Sequence, residues 1–186
     1  MEEPINYPPR LDFLEYGTLL AYTASLRATC RRKLVGCALF NNKRVVKATG
    51  FNGAFSGAPQ CDDIGCLMVD GHCMRAVHAE RNAIMFSGDS DLAGGYCFIT
   101  ILPCRDCFNL IAAVGIKNVY YLEDYRNDEH KVYLERVANR DSIVLNKLAL
   151  AIPQILEKAL EFHKGPGGLF VNSQLLEISD KPMPLE

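Results

Sequence analysis

Residues 96–107 read YCFITILPCRDC, and with the FNLIAAVG that follows they decide the fold. YCFITI is rich in β-branched and aromatic residues and predicts a strand. CRDCFNLIAAVG at 104–115 carries apolar residues at helical spacing, with Gly115 suited to a C-cap. Strand and helix then alternate: NVYYLE at 118–123 predicts a strand, DEHKVYLERVAN at 128–139 a helix and SIVL at 142–145 a short strand. Upstream, LDFLEYGTLLAYTASLRA at 11–28 places Leu11, Leu14, Ala21, Ala24 and Ala28 on one helical face. VGCALF at 35–40 and NNKRVVKAT at 41–49 predict two strands of a hairpin, with Asn41 and Asn42 suited to a left-handed turn. Residues 54–77 are Gly- and Pro-punctuated and loop-like, and 78–87 are helical. KLALAIPQILEKALEFHK at 147–164 predicts a further helix, bent or interrupted at Pro153. The alternation predicts an α/β protein, with helices covering the faces of a sheet.

A chain of 186 residues suits a single domain over 1–186, with a core at about 11–145 and a C-terminal helix and tail at 146–186. Its composition is that of a globular protein, 49% apolar and 23% charged, with mean hydropathy near zero. A net charge of −2 provides no general attraction to polyanions and argues against a bulk polynucleotide binder. No apolar run approaches a membrane span, and MEEPINYPPR lacks a secretory h-region, so a cytoplasmic protein is expected. Eight cysteines in a reducing compartment read as metal ligands or core residues rather than disulfides.

The chemistry is concentrated in HCMRAVHAERN at 72–82 and LPCRDCF at 102–108. His78 and Glu80, two apart at a helix start, point in different directions, so one can bind a metal while the other stands beside it. Cys104 and Cys107 sit at the start of the next helix, where partial positive charge favours thiolates and both sulfurs reach one ion. One His and two Cys leave a fourth tetrahedral position for water, the mark of a catalytic zinc. A lone C-x-x-C reads first as a structural zinc knuckle or redox pair; His78, Glu80 and Pro103 turn the balance. Cys61, Cys66, His72 and Cys73, with Cys30, hold more than enough ligands for a second, closed zinc. Cys30, Cys61, Cys66 and Cys73 are the first choice, with His72 the alternate. Cys37 and Cys97 fall within strands and read as core.

The pairing H-x-E with P-C-x-x-C is the recognised signature of zinc nucleobase deaminases. Beyond it, CRRKLVG at 30–36, TGFNG at 49–53, the stretch from CDDIGC at 61–66 to DGHCMRAVHAERNAI at 70–84, and LPCRDC at 102–107 resemble the deoxycytidylate (dCMP) deaminase family. The likeness covers about Cys30 to Arg126. It implies a cytidine deaminase-like three-layer fold, with a mixed central sheet of about five strands. It implies hydrolysis of dCMP to dUMP and ammonia at a catalytic zinc, with Glu80 as proton shuttle. Arg32 and the pair Tyr125 and Arg126 match phosphate-contacting positions, and Asn52 a sugar contact; read alone they are surface arginines and a turn asparagine. The resemblance further implies a homo-oligomer, a hexamer or trimer of dimers. It implies activation by dCTP with Mg2+ and inhibition by dTTP, with Phe51, Asn52 and Gly53 near the regulatory ligand. The family's G-Y-N-G stands here as G-F-N-G, which removes one hydroxyl. Other zinc deaminases, including dCTP-accepting ones, and a non-catalytic zinc scaffold stand as alternatives.

Overall fold

The structure, a computed structural model, describes residues 9–88, 91–125, 128–165 and 168–169. The chain divides into two compact units, Phe13–Leu150 and the segments Met1–Asp12 with Ala151–Glu186. In the second, the helix Ile152–Lys164 is the one regular element among the described residues. Pro153 lies in its first turn, so the proline opens this helix instead of bending it. The fixed φ and missing N–H of proline cost nothing there. The segment 147–151 before it is not helical, a correction to the longer helix expected. No helix among the described residues is long and apolar enough to cross a membrane.

The first unit is built on a five-stranded mixed sheet in three layers. Helix α1 (Phe13–Ser25) precedes the strands β1 (Gly36–Phe40) and β2 (Val46–Phe51). Short elements follow, α2 (Cys61–Ile64), β3 (Met68–Val69) and β4 (His72–Cys73), and then α3 (Ala79–Phe86). The chain continues through β5 (Tyr96–Ile101), α4 (Arg105–Ala113), β6 (Asn118–Glu123), α5 (Asp128–Arg140) and β7 (Val144–Lys147). The sheet order is β2-β1-β5-β6-β7. β1 is antiparallel to β2 and β5, whereas β5, β6 and β7 are parallel.

Period-two alternation along the strands builds two cores. Cys37, Leu39, Cys97, Ile99 and Val119 point to one face, where Ala79 and Ala83 of α3, Phe108 and Ile111 of α4 and Leu134 of α5 cover them. Ala38, Phe40 and Phe98 point to the other, beneath Ala21 of α1. Each such large side chain, fully buried, stabilises by about 1.5–3 kcal/mol. Gly50 on β2 lets α3 settle onto the sheet, because a Cβ there would come 2.3 Å from the Ala79 carbonyl oxygen. That close approach sets where the N-terminus of α3 emerges.

The β1–β2 connection differs from the expectation. Arg44, not Asn41 or Asn42, takes the left-handed conformation (φ 62°). Asn41 instead accepts hydrogen bonds on Oδ1 from the Lys43 and Val45 N–H groups, at 3.0 Å each. Its side chain holds the turn, and Arg44, three residues on, bears the strained φ.

Candidate zinc centre and substrate cavity

The ends of β5 and the starts of α3 and α4 converge. His78 is the N-cap of α3, Cys104 the N-cap of α4, and Cys107 lies in the first turn of α4. His78 Nδ1 is 3.5 Å from Cys104 Sγ and 3.4 Å from Cys107 Sγ, and the three ligand atoms all lie within 4.8 Å of one another. Around a tetrahedral zinc, with Zn–S near 2.3 Å and Zn–N near 2.0 Å, N···S separations come to roughly 3.6 Å. The donor set and its spacing therefore fit zinc, with three protein ligands and a fourth direction left over.

The electrostatics agree. The Cys104 thiol is pulled down to about 4, first by the hydrogen bond it receives from Cys107 and then by His78. Cys107, the donor in that pair and itself buried, is pushed well above its ordinary value. His78 is raised, chiefly by its hydrogen bond with Cys104. Glu80 is only 3% exposed, and burial pushes its carboxyl up to about 6. A buried carboxyl costs stability unless it is hydrogen-bonded, paired or neutralised.

A cavity of about 220 Å³ opens beside these groups, lined among others by His78, Glu80, Cys104, Arg32, Asn52 and Tyr125. The structure thus brings three of the four expected substrate residues to one space; Arg126 lies outside the described residues. Asn52 is 8% exposed, and its amide accepts from the Val35 N–H and donates to the Lys33 carbonyl, both at 2.8 Å. It braces the segment that carries Arg32. The neighbouring Phe51 carbonyl accepts from Asn82 Nδ2 of α3 at 2.7 Å, and Gly53 pairs with Val77, one residue before His78. Lys33, His72 and Asp124 also line the cavity, and sequence reasoning gave them no part in it. Adjacency to Arg32 was the available signal for Lys33, which pairs with Glu123 at 2.6 Å. Asp124 is held by Lys131 and Lys147.

Cys30, Cys61, Cys66 and Cys73 form a second group whose four sulfurs lie within 4.8 Å of one another. Cys30 and Cys66 are 3.7 Å apart, and Cys61 and Cys73 are 3.6 Å apart. Around tetrahedral zinc the S···S separation is roughly 3.8 Å, so this set also fits, now with all four positions supplied. For Cys73, burial acts to raise the pKa but is outweighed by the N–H groups of Ala76 and Arg75, and the thiol falls to about 7. His72, the alternate ligand, is not a member of the group. The region expected to be plain loop holds α2 and the β3–β4 pair, which carry Cys61 and Cys73 of the four. Cys37 and Cys97 are equally close, at 3.6 Å, but fully buried in the core, and no metal-ligand group among the described residues includes them.

The model of the cytidine and deoxycytidylate deaminase zinc-binding region matches residues 12–123. The chain belongs to this family. It is 40% identical over 121 residues to ComE operon protein 2 of Bacillus subtilis (strain 168), a match covering 63% of this chain and 62% of that protein. It is 38% identical over 124 residues to the deoxycytidylate deaminase of Mycobacterium phage D29, covering 60% of this chain and 95% of the relative. Among solved structures, the dCMP deaminase of cyanophage S-TIM5 in complex with dCMP and dUMP superposes with a TM-score of 0.58 at 30% identity, over 69% of this chain and 90% of that one. The mixed five-stranded sheet flanked by helices is the architecture of these deaminases.

Proposed function

We propose that this family member hydrolyses dCMP to dUMP and ammonia, supplying dUMP for dTTP synthesis. The observation that carries the reading is the buried Glu80 beside the His78, Cys104 and Cys107 donors, in a cavity that Arg32 and Tyr125 also line. Relatives named deoxycytidylate deaminase, and a related fold holding dCMP and dUMP, support the choice of substrate.

His78, Cys104 and Cys107 would hold the zinc, which when bound would supply Lewis acidity to a water at the position they leave open. Glu80 Oε accepts the proton that this water loses and hands it to the ring nitrogen beside C4 of the cytosine. A second proton passes through the same carboxyl to the departing amine, so water enters and ammonia leaves. Burial serves this role, because a carboxyl raised to about 6 is a stronger base than an ordinary carboxylate and can still act as an acid near neutral pH. Arg32 forks to the 5′-phosphate, assisted by Arg126, with Tyr125 on the same wall and Asn52 by the sugar.

Several further assignments belong to the same reading. Cys30, Cys61, Cys66 and Cys73 hold a structural zinc that closes the loop between β2 and α3. The enzyme works in the cytoplasm as a homo-oligomer, forming one domain over 1–186. It is activated by dCTP with Mg2+ and inhibited by dTTP near Phe51, Asn52 and Gly53. Assaying dCMP, CMP, deoxycytidine and dCTP side by side tests the substrate: dCMP is expected to be turned over best, and equal turnover of deoxycytidine would remove the phosphate argument. At sub-saturating dCMP, dCTP and dTTP are expected to move the rate in opposite directions; flat rates would remove the regulation.

A further inference from the structure

His130 lies in the first turn of α5, and the sequence suggests only a surface or helix-end role for it. Its Nε2 is 2.9 Å from the Pro103 carbonyl oxygen. A carbonyl oxygen can only accept, so the proton sits on Nε2 and His130 donates. That carbonyl shares one rigid peptide plane with the Cys104 backbone nitrogen. Holding the plane anchors the backbone from which Cys104, the N-cap of α4, presents its sulfur. The same short segment is held one residue earlier, where the Leu102 N–H donates to the Glu123 carbonyl at 2.8 Å.

The same imidazole also meets Tyr125. Their ring centroids are 5.9 Å apart at an interplanar angle of 69°, an edge-on contact. Tyr125 is 39% exposed and lines the cavity, so core packing does not dictate where its ring stands. One side chain therefore touches both the segment that carries a ligand and the wall that faces the nucleotide.

We propose that His130 is a positioning residue, setting the Cys104 peptide through its Nε2–H and the Tyr125 ring through its own ring. It tunes metal geometry and nucleotide binding separately, by two different contacts. The proposal rests on the reading of His78, Cys104 and Cys107 as metal ligands.

Two substitutions separate the contacts. His130→Gln keeps a donor at the position of Nε2 but removes the ring; His130→Phe keeps a ring but removes the donor. The full-length proteins would be loaded with cadmium for NMR and with zinc for kinetics. In His130→Phe, the resonance of the nitrogen-and-two-thiolate site should shift or broaden while that of the four-thiolate site stays, and metal should pass to a chelator about 10-fold faster. In His130→Gln, the resonance and metal retention should return to those of the parent. KM for dCMP should rise by about 3- to 10-fold with kcat unchanged, the scale of one aromatic contact. Both variants matching the parent, or both changing the same parameters together, would overturn the proposal. Should His130→Phe fail to fold, the split of KM from kcat in His130→Gln decides alone. A parent protein without the mixed-donor resonance would instead remove the metal reading itself.

Discussion

Two sulfur-rich clusters lie a few residues apart in this chain, linked directly by the segment from Cys73 to His78, and differ in what surrounds them. Cys30, Cys61, Cys66 and Cys73 offer four thiols within 4.8 Å and so complete a tetrahedron. His78, Cys104 and Cys107 offer three, with a buried carboxyl beside them and the cavity in front. The same metal would be inert in the first and reactive in the second, because only the second leaves a coordination position and a proton carrier. The Cys37–Cys97 pair gives the baseline: two sulfurs 3.6 Å apart that join no metal-ligand group. Sulfur proximity alone says little; the third and fourth donors, and the neighbouring acid, separate core, clip and reaction centre.

The largest effect expected from breaking this contrast is at Glu80. Glu80→Gln is nearly isosteric, so its metal content by mass spectrometry should match the parent while turnover of dCMP falls by about 10²- to 10⁴-fold, the usual share of a general acid–base. Unchanged turnover would move the chemistry elsewhere. Next comes the cavity wall: Arg32→Ala should raise KM for dCMP by roughly 10- to 100-fold, as expected for losing a hydrogen bond from a charged donor. It should leave deoxycytidine kinetics nearly untouched; an equal loss on both substrates would show that Arg32 acts through folding.

The closed cluster should fail in another currency. Cys61→Ser is expected to lower the midpoint of thermal unfolding by roughly 10 °C, corresponding to loss of a metal clip worth about 4 kcal/mol. The protein that remains folded should keep its zinc at the other centre. A variant as stable as the parent would argue that the four thiols bind nothing. The smallest effect is at the core pair, where Cys37→Ala should cost about 1 kcal/mol in denaturant unfolding and leave zinc content and kcat alone. A loss of zinc in this variant would mean the pair is no mere packing.

The differences also explain what the sequence made legible. His78, Glu80, Cys104 and Cys107 were readable because each pair sits within one turn of one helix, where local spacing fixes direction. The strands β5 and β6 were readable from their β-branched and aromatic residues; β1 and β5 are buried on both faces, so burial alternates along β6 alone of the three. The four-thiol group was readable as a composition but not as structure: α2 and the β3–β4 pair are too short to have a period, and Cys66 meets Cys30 across 36 residues. Asn52 reads as a turn residue, yet its amide is spent on Lys33 and Val35. His130 reaches Pro103 across 27 residues, a contact no local pattern encodes. Pro153 was misplaced by treating one long apolar run as one helix, when proline and the extended Ala151 begin it.

A three-ligand zinc beside Glu80 that performs the reaction should be separable from a four-ligand zinc that does not. Titrating metal out of the native protein with a chelator, while following zinc release and dCMP turnover on the same samples, tests it most directly. The three-ligand centre, with its open position, is expected to give up zinc first, activity to fall in step with this phase, and added zinc to restore it. Turnover that survives complete removal of zinc, or falls only with the last metal to leave, would contradict it.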